Sequence, residues 1–290
     1  MNQTASHPLR FGLKLAGQDT TIEALRGVWR VADEAGFDHV WDFDHLASIG
    51  APGPDRPVFE GWALQAAMAE ATSRVRIGCN VAGNAYRHPG QLAKLAVTVD
   101  HLSGGRLEFG VGAGWAEIEF KMLGMSGLDH RVGRLEESLQ IMKSLFTQER
   151  TDFDGRYYQL KDAIANPKPL QRPHPPIWIG AGGDLMLGVV ARHADAWNPT
   201  GAARGDGYAQ ACERLAQACE AIDRDPSQIR RCSLLRWDGG AHQSLIDAAG
   251  RDLELGFTEQ IIYVEGPRAH ETAARAAEAL GDLRRLGAGR

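Results

Sequence analysis

The sequence predicts an α/β protein of the (β/α)8 barrel class, a TIM barrel. Three observations lead there: strand-like stretches alternate strictly with helical periodicities, the alternation reaches eight pairs, and 290 residues suit one such barrel with additions. Strict alternation forces parallel strands joined by crossovers, and at this length eight of them favour a closed barrel over an open doubly wound sheet. We expect a single barrel domain over residues 1–290, with an insertion at about 116–175 after the fourth strand.

The elements follow in order. RFGLKL (10–15) is the first strand by its apolar content. Thr20 and Glu23 read as a capping box ahead of Ile22, Leu25, Val28, Trp29 and Ala32, which recur at helical spacing until Gly36. DHVWDF (38–43) is the second strand, followed by a helix near 60–72 and the strand VRIGCNV (75–81). Pro89 opens a helix carrying Leu92, Leu95, Ala96, Val99 and Leu102, and Gly104 and Gly105 stop it. RLEFGVG (106–112) is the fourth strand, with a helix near 130–147. PIWIGAG (176–182) and DAWN (195–198) follow, each leading to a helix, near 184–194 and near 205–223. RRCSLLRW (230–237), a helix near 242–254, TEQIIYVE (258–265) and a terminal helix opened by Pro267 complete the eight pairs. From 116 to 175 the chain also carries a hairpin around TDFDGRYYQL and the proline-rich NPKPLQRPHPP. An insertion of that length in a βα connection is expected to cover the active-site mouth.

Composition narrows the function. A net charge of -5 supplies no basic face for nucleic acid. No apolar run approaches a membrane span, and MNQTASHPLRF lacks the regions of a signal peptide, so a cytoplasmic protein with neither membrane nor nucleic acid as partner is expected. Cys79, Cys212, Cys219 and Cys232 are scattered without a C-x-x-C pair, which predicts free thiols and no metal site. No carboxylate pair, G-x-S-x-G or H-E-x-x-H points to hydrolysis.

In a barrel the chemistry sits after the C-terminal ends of the strands, and four places there stand out. WDFDHL brings Asp42, Asp44 and His45 to one rim; the alternative is a helix cap and a packed ring. In CNVAGNAYRHP, Arg87 suits an anionic group, with an ordinary surface ion pair as the alternative. LEFGVGAGW alternates Gly110, Gly112 and Gly114, but Trp115 stands where G-x-G-x-x-G needs its third glycine, so this is either a close-approach loop or a plain turn. IGAGGD sets Gly180, Gly182 and Gly183 before a helix whose free N–H groups suit a phosphate.

Together, "EAGFDHVWDFDHL", "YRHPGQLAKLAVTVDHLSGGRLEFGVGAGW", "NPKPLQRPHPPIWIGAGG" and "ARHADAWN" resemble the bacterial luciferase-like superfamily, and more closely its coenzyme F420-dependent oxidoreductases, over about the first 235 residues. The resemblance implies an eight-stranded barrel with an insertion after the fourth strand and a flavin or deazaflavin over its mouth. It implies hydride transfer between coenzyme F420 and a small-molecule substrate, with a reduced-FMN monooxygenase or a non-catalytic flavin-binding barrel as alternatives. By the same carry-over, His45 is the proton donor or acceptor and Asp44 orients it or contacts the ring. Asn80 and Val81 form a bulge joined by a non-prolyl cis peptide, Gly112, Ala113 and Gly114 border the ring, and Gly180, Ala181, Gly182 and Gly183 hold the cofactor phosphate. Homodimerisation is expected as well. Some relatives carry a catalytic glutamate just after the glycine loop, where this chain has Trp115, and that departure argues against a sugar-phosphate dehydrogenase.

Overall fold

The computed structural model describes residues 7–126, 128–201 and 206–288. Its strands are β1 (Arg10–Lys14), β2 (His39–Asp42), β3 (Arg76–Cys79), β4 (Ala82–Gly83), β5 (Leu107–Gly112), β6 (Thr151–Asp154), β7 (Gln159–Ala163), β8 (Ile177–Gly180), β9 (Ala196–Asn198), β10 (Arg230–Arg236) and β11 (Phe257–Tyr263). Parallel pairing runs β3, β2, β1, β11, β10, β9, β8, β5, and β3 pairs again with β5 through Ile77 with Leu107, which closes the ring. β3 and β4 are two halves of one barrel strand, interrupted at Asn80 and Val81, so the barrel has eight strands.

The helices are α1 (Ile22–Ala35), α2 (Gly61–Ala71), α3 (Pro89–Leu102), α4 (Glu117–Leu123), α5 (Arg131–Thr147), α6 (Asp184–His193), α7 (Asp206–Glu220), α8 (His242–Glu254), α9 (Ala269–Glu278) and α10 (Leu280–Arg285). The expected start of the sixth helix at 205, observed as α7, lies outside the described residues. Two helices exceed the expected eight: α4 opens the insertion, and the terminal helix is divided at Ala279. The expected cap of α1 moves by one residue. Thr21, not Thr20, is the N-cap and accepts from the Ala24 N–H, because the helix starts at Ile22, while the buried Thr20 hydroxyl has no partner. Gly36 ends α1 with φ 93°.

Only part of the insertion reaches the mouth. Residues 116–126 with α4 lie there, whereas β6 and β7 form an antiparallel hairpin against α5, where Glu137 accepts the N–H groups of Arg156, Tyr157 and Tyr158. The proline-rich stretch returns beneath the barrel: Asp100 at the end of α3 accepts from Leu170 and Gln171, and Gln171 donates to the Leu107 carbonyl at the start of β5. The expectation that all of 116–175 covers the site therefore fails, since α5 carries the chain back to the N-terminal side before the hairpin and prolines occur.

Alternation along the strands sends every second residue inward. The lowest interior layer is ionic. Glu108, 1% exposed, meets Arg10 at 3.4 Å, Arg230 at 3.3 Å and Arg76, and accepts from Trp178 Nε1 at 2.6 Å; Glu259 meets Arg230 at 2.8 Å, Arg10 at 3.3 Å and His39 at 3.0 Å. Above it Trp41, Trp178, Ala196, Cys232 and Ile261 form an apolar plug. A Cβ at Gly78 would lie 2.3 Å from the Trp41 ring, so that strand position needs glycine. The larger apolar core lies outside the strands, between them and the helices.

Burial opposes ionisation of Glu108, but Arg230, Arg76 and Arg10 hold its carboxyl at about 2. A depressed folded value stabilises the fold above the ordinary 4.5, and the contribution is lost as pH falls through about 2. Glu108→Gln leaves three arginines facing a neutral amide. Urea unfolding at neutral pH is expected to show a loss of about 3–5 kcal/mol, and acid titration a flatter decline than wild type.

Candidate active site

The C-terminal mouth is built around the interruption between β3 and β4. The Asn80–Val81 peptide is cis, as the resemblance implied. Val81, half-buried, occupies the centre of the gap, and the flanking glycines exist to admit it. A Cβ at Gly110 would sit 1.8 Å from the Cys79 carbonyl, at Gly112 2.9 Å from Val81 Cγ2, and at Gly180 3.0 Å from the same methyl. Gly114 needs its hydrogen for a different reason, a φ of 85°. Ala113 is buried in the outer core. The group that approaches these glycines is the protein's own bulge.

His45 leaves β2 on the loop beyond Phe43, between the rings of Phe43 at 4.9 Å and Trp115 at 5.6 Å. Its Nδ1 lies 3.1 Å from both carboxylate oxygens of Glu119 on α4. Glu119 is fully buried and also accepts the N–H of Leu46 at 2.6 Å, the N–H of Ala47 at 3.0 Å and the Tyr86 hydroxyl. Burial works against its ionisation, but the donations from His45, Tyr86 and Ala47 prevail and hold its carboxyl below the ordinary range. The Tyr86 hydroxyl is pushed up by burial and by that same acceptor. A carboxylate acceptor fixes Nδ1 as the donor, so in neutral His45 the lone pair lies on Nε2, which has no hydrogen-bond partner among the described residues.

Asp44 does something other than orient His45. Its carboxylate is buried and bonded bidentately to Arg87 at 2.5 and 2.9 Å, and it accepts the Gly83 N–H at 3.1 Å, so it anchors β4. Arg87 in turn meets Glu60 at 2.5 Å. It is therefore neither an anion receptor nor a loose surface group, because both faces of its guanidinium fork are already paired. Asp42 is also removed from the rim: it faces α2, where Gln65 donates to it at 2.5 Å, and burial pushes its carboxyl well up.

Glu119 is the main residue that sequence reasoning missed. It stands two residues after Glu117 in WAEIEF, and nothing local distinguishes a solvent-facing acid from one that turns inward 74 positions from His45.

In the loop expected to hold a phosphate, a Cβ on Gly182 would lie 2.2 Å from the Thr200 carbonyl, whereas Gly183, the N-cap of α6, faces open space and receives no side-chain cap. Ala181 already gives its N–H to Asn198 and its carbonyl to Trp197 Nε1, leaving Gly182 and Gly183 to offer N–H groups. Asp184 begins α6 and pairs with Arg214. On the same C-terminal face a cavity of about 630 Å³ opens beside Arg236, Trp237, Asp238 and Tyr263. Among the described residues no helix is long and apolar enough to cross a membrane, no group of three or more His, Cys, Asp or Glu could hold a metal, and all four cysteines are free thiols.

Comparison with known proteins places this geometry. The family model of luciferase-like monooxygenases matches residues 5–237. An F420-dependent glucose-6-phosphate dehydrogenase of Microbacterium testaceum is 34% identical over 195 residues, covering 67% of this chain and 57% of that protein. An FMNH(2)-dependent dimethylsulfone monooxygenase of Pseudomonas putida is 29% identical over 176 residues, 60% of this chain and 47% of its own. The chain thus matches about half the length of these relatives. Among solved structures, an F420-dependent secondary alcohol dehydrogenase in complex with an F420-acetone adduct has the same fold, with a TM-score of 0.81 at 18% identity over 96% of this chain and 99% of that one. A barrel with its third strand broken at a bulge, and a family match over most of its length, make this chain a member of the luciferase-like monooxygenase family.

Proposed function

We propose that this chain is a coenzyme F420-dependent oxidoreductase acting on a small alcohol or carbonyl compound. The observation that carries the reading is His45, fixed through Nδ1 by the Glu119 carboxylate with Nε2 open at the mouth. The rim also fits a planar ring with a phosphate tail. Val81 offers an apolar floor between Gly112 and Gly180, the Asn80 side-chain amide nitrogen is buried without a partner, and Gly182 and Gly183 leave N–H groups free at the start of α6. When bound, the deazaflavin gives or takes a hydride at one ring carbon, and it reacts poorly with oxygen.

The chain's own residues supply the rest. In the oxidative direction Nε2 of His45 takes the proton of the substrate hydroxyl as its C–H hydride departs and the C–O bond becomes double. The Glu119 carboxylate stabilises the imidazolium so formed. Asp44 and Arg87 hold β4 and with it the bulge, while Trp115, 59% exposed, walls the substrate side next to His45. An indole where a sugar phosphate would want an acid or a cation favours a less polar substrate than glucose 6-phosphate. The name of the Pseudomonas relative supports a second reading, a reduced-FMN monooxygenase, and side-by-side titration of apoprotein with F420 and FMN decides between the two. Tighter binding of FMN, or binding of neither, overturns the proposal.

Two variants test the roles. His45→Ala is expected to lower kcat about 10²–10⁴-fold with cofactor affinity retained, and Glu119→Gln to lower it less while altering its pH profile. Full turnover by His45→Ala would exclude the proton role. Gly112→Ala adds a methyl that must displace Val81, so cofactor affinity should fall; in Gly112→Ala/Val81→Ala, which removes the clash, calorimetric titration should show it recovering.

A further inference from the structure

Lys14 ends β1 on the interior face that also carries Arg10 and Gly12. Its side chain is buried, and Nζ donates to the main-chain oxygen of Asn80 at 2.6 Å and to Asn80 Oδ1 at 3.2 Å. The groups that bear on it electrostatically come from four strands, with Cys232 and Arg236 of β10 and Tyr263 of β11, whose ring centroid is 5.6 Å away, on the interior side, and Asp42 of β2 and Cys79 of β3 on the outer side of theirs. None forms an ion pair with Nζ among the described residues. Asp42 is turned to Gln65 of α2 and makes no ion pair with Nζ, burial pushes up the Cys79 and Cys232 thiols, and Arg236 is itself a cation that pairs with Glu265. Lys14 is therefore a buried ammonium that holds the bulge and has no carboxylate in contact with Nζ among the described residues. Such a charge is costly to bury unless a counter-charge arrives.

We propose that Lys14 is a positioning residue of the ring site: through Asn80 it sets the bulge, and its unmatched positive charge selects a planar ring that carries negative charge. The inference rests on the deazaflavin reading above. A deazaflavin hydroxyl ionises near neutrality and its charge spreads through the conjugated ring, whereas the oxidised FMN ring is neutral there.

The pH dependence has a definite sign. Burial lowers Lys14 from 10.5 to about 8, so the free protein keeps its ammonium only below about 8. An anionic ligand favours the ammonium form. Its affinity should hold below about 8 and weaken above it, approaching about tenfold per pH unit.

The test is equilibrium binding of oxidised F420 and oxidised FMN to apoprotein from about pH 6.5 to about 9.5, read by fluorescence. Wild type, Lys14→Arg and Lys14→Met are compared, with circular dichroism as the fold control. Wild type should show the alkaline loss for F420 alone. Lys14→Met should bind F420 about tenfold more weakly at neutral pH with a flat profile, and Lys14→Arg, charged throughout, should keep its affinity above pH 8. Should Lys14→Met not fold, the Lys14→Arg profile decides alone. An unchanged F420 profile in the variants, or the same alkaline loss for FMN, overturns the inference. Failure of wild type to bind either ring overturns the deazaflavin reading instead.

Discussion

The inside of an eight-stranded parallel barrel has a fixed cross-section, and two indoles fill its middle here. Trp41 and Trp178 lie with ring centroids 4.6 Å apart, and the strands next to them carry glycine at positions 12, 78 and 110. Everything above that plug inherits the constraint. The third barrel strand cannot run straight past it with full side chains, and it breaks after Cys79, sending Val81 into the space that Gly112 and Gly180 vacate. The floor of the mouth is thus one isopropyl group ringed by bare backbone. A flat conjugated ring requires such a surface, being wide, apolar and without protrusions.

Above the floor, polar groups are arranged by the loops rather than by the strands. Glu119 draws together three segments distant in sequence: the turn after β2 through His45, Leu46 and Ala47, the Tyr86 turn before α3, and α4 itself. A fully buried carboxylate with that many donors is a rigid joint, because loss of any donor leaves charge unsatisfied. Asp44 plays the matching part on the other side, tying Gly83 and Arg87 together. Adjacent residues of one dipeptide therefore differ in kind: Asp44 is spent on the scaffold, while His45 is held through Nδ1 alone.

Much of this was legible in the chain. The alternation of strand and helix patterns reflects burial, which periodicity reports directly, so the eight-stranded closure and nearly every element followed from it. The split of the third strand followed only from resemblance, since VRIGCNV reads as continuous. The glycines were legible as close-approach positions, but their steric partner was not, because Val81 lies about thirty residues upstream of Gly112 and no local rule links the two. Glu119 and Lys14 escaped for the same reason. Each looks like an ordinary charged residue until the closed barrel turns it inward, and side-chain partners across the barrel are set by tertiary geometry alone. Thr20 against Thr21 is a smaller case, where two adjacent hydroxyls compete to cap one helix and local spacing permits both.

The ionic layer at the lower end has a consequence for traffic. Glu108 and Glu259, cross-linked by three arginines and His39, seal the vessel beneath the tryptophans. Whatever reaches His45 must come in and go out by one doorway, past Trp115 and the free face of α4. Departure of a spent molecule then precedes entry of a fresh one, and the pace of clearing that single opening sets a ceiling on throughput however fast the bond-making itself becomes.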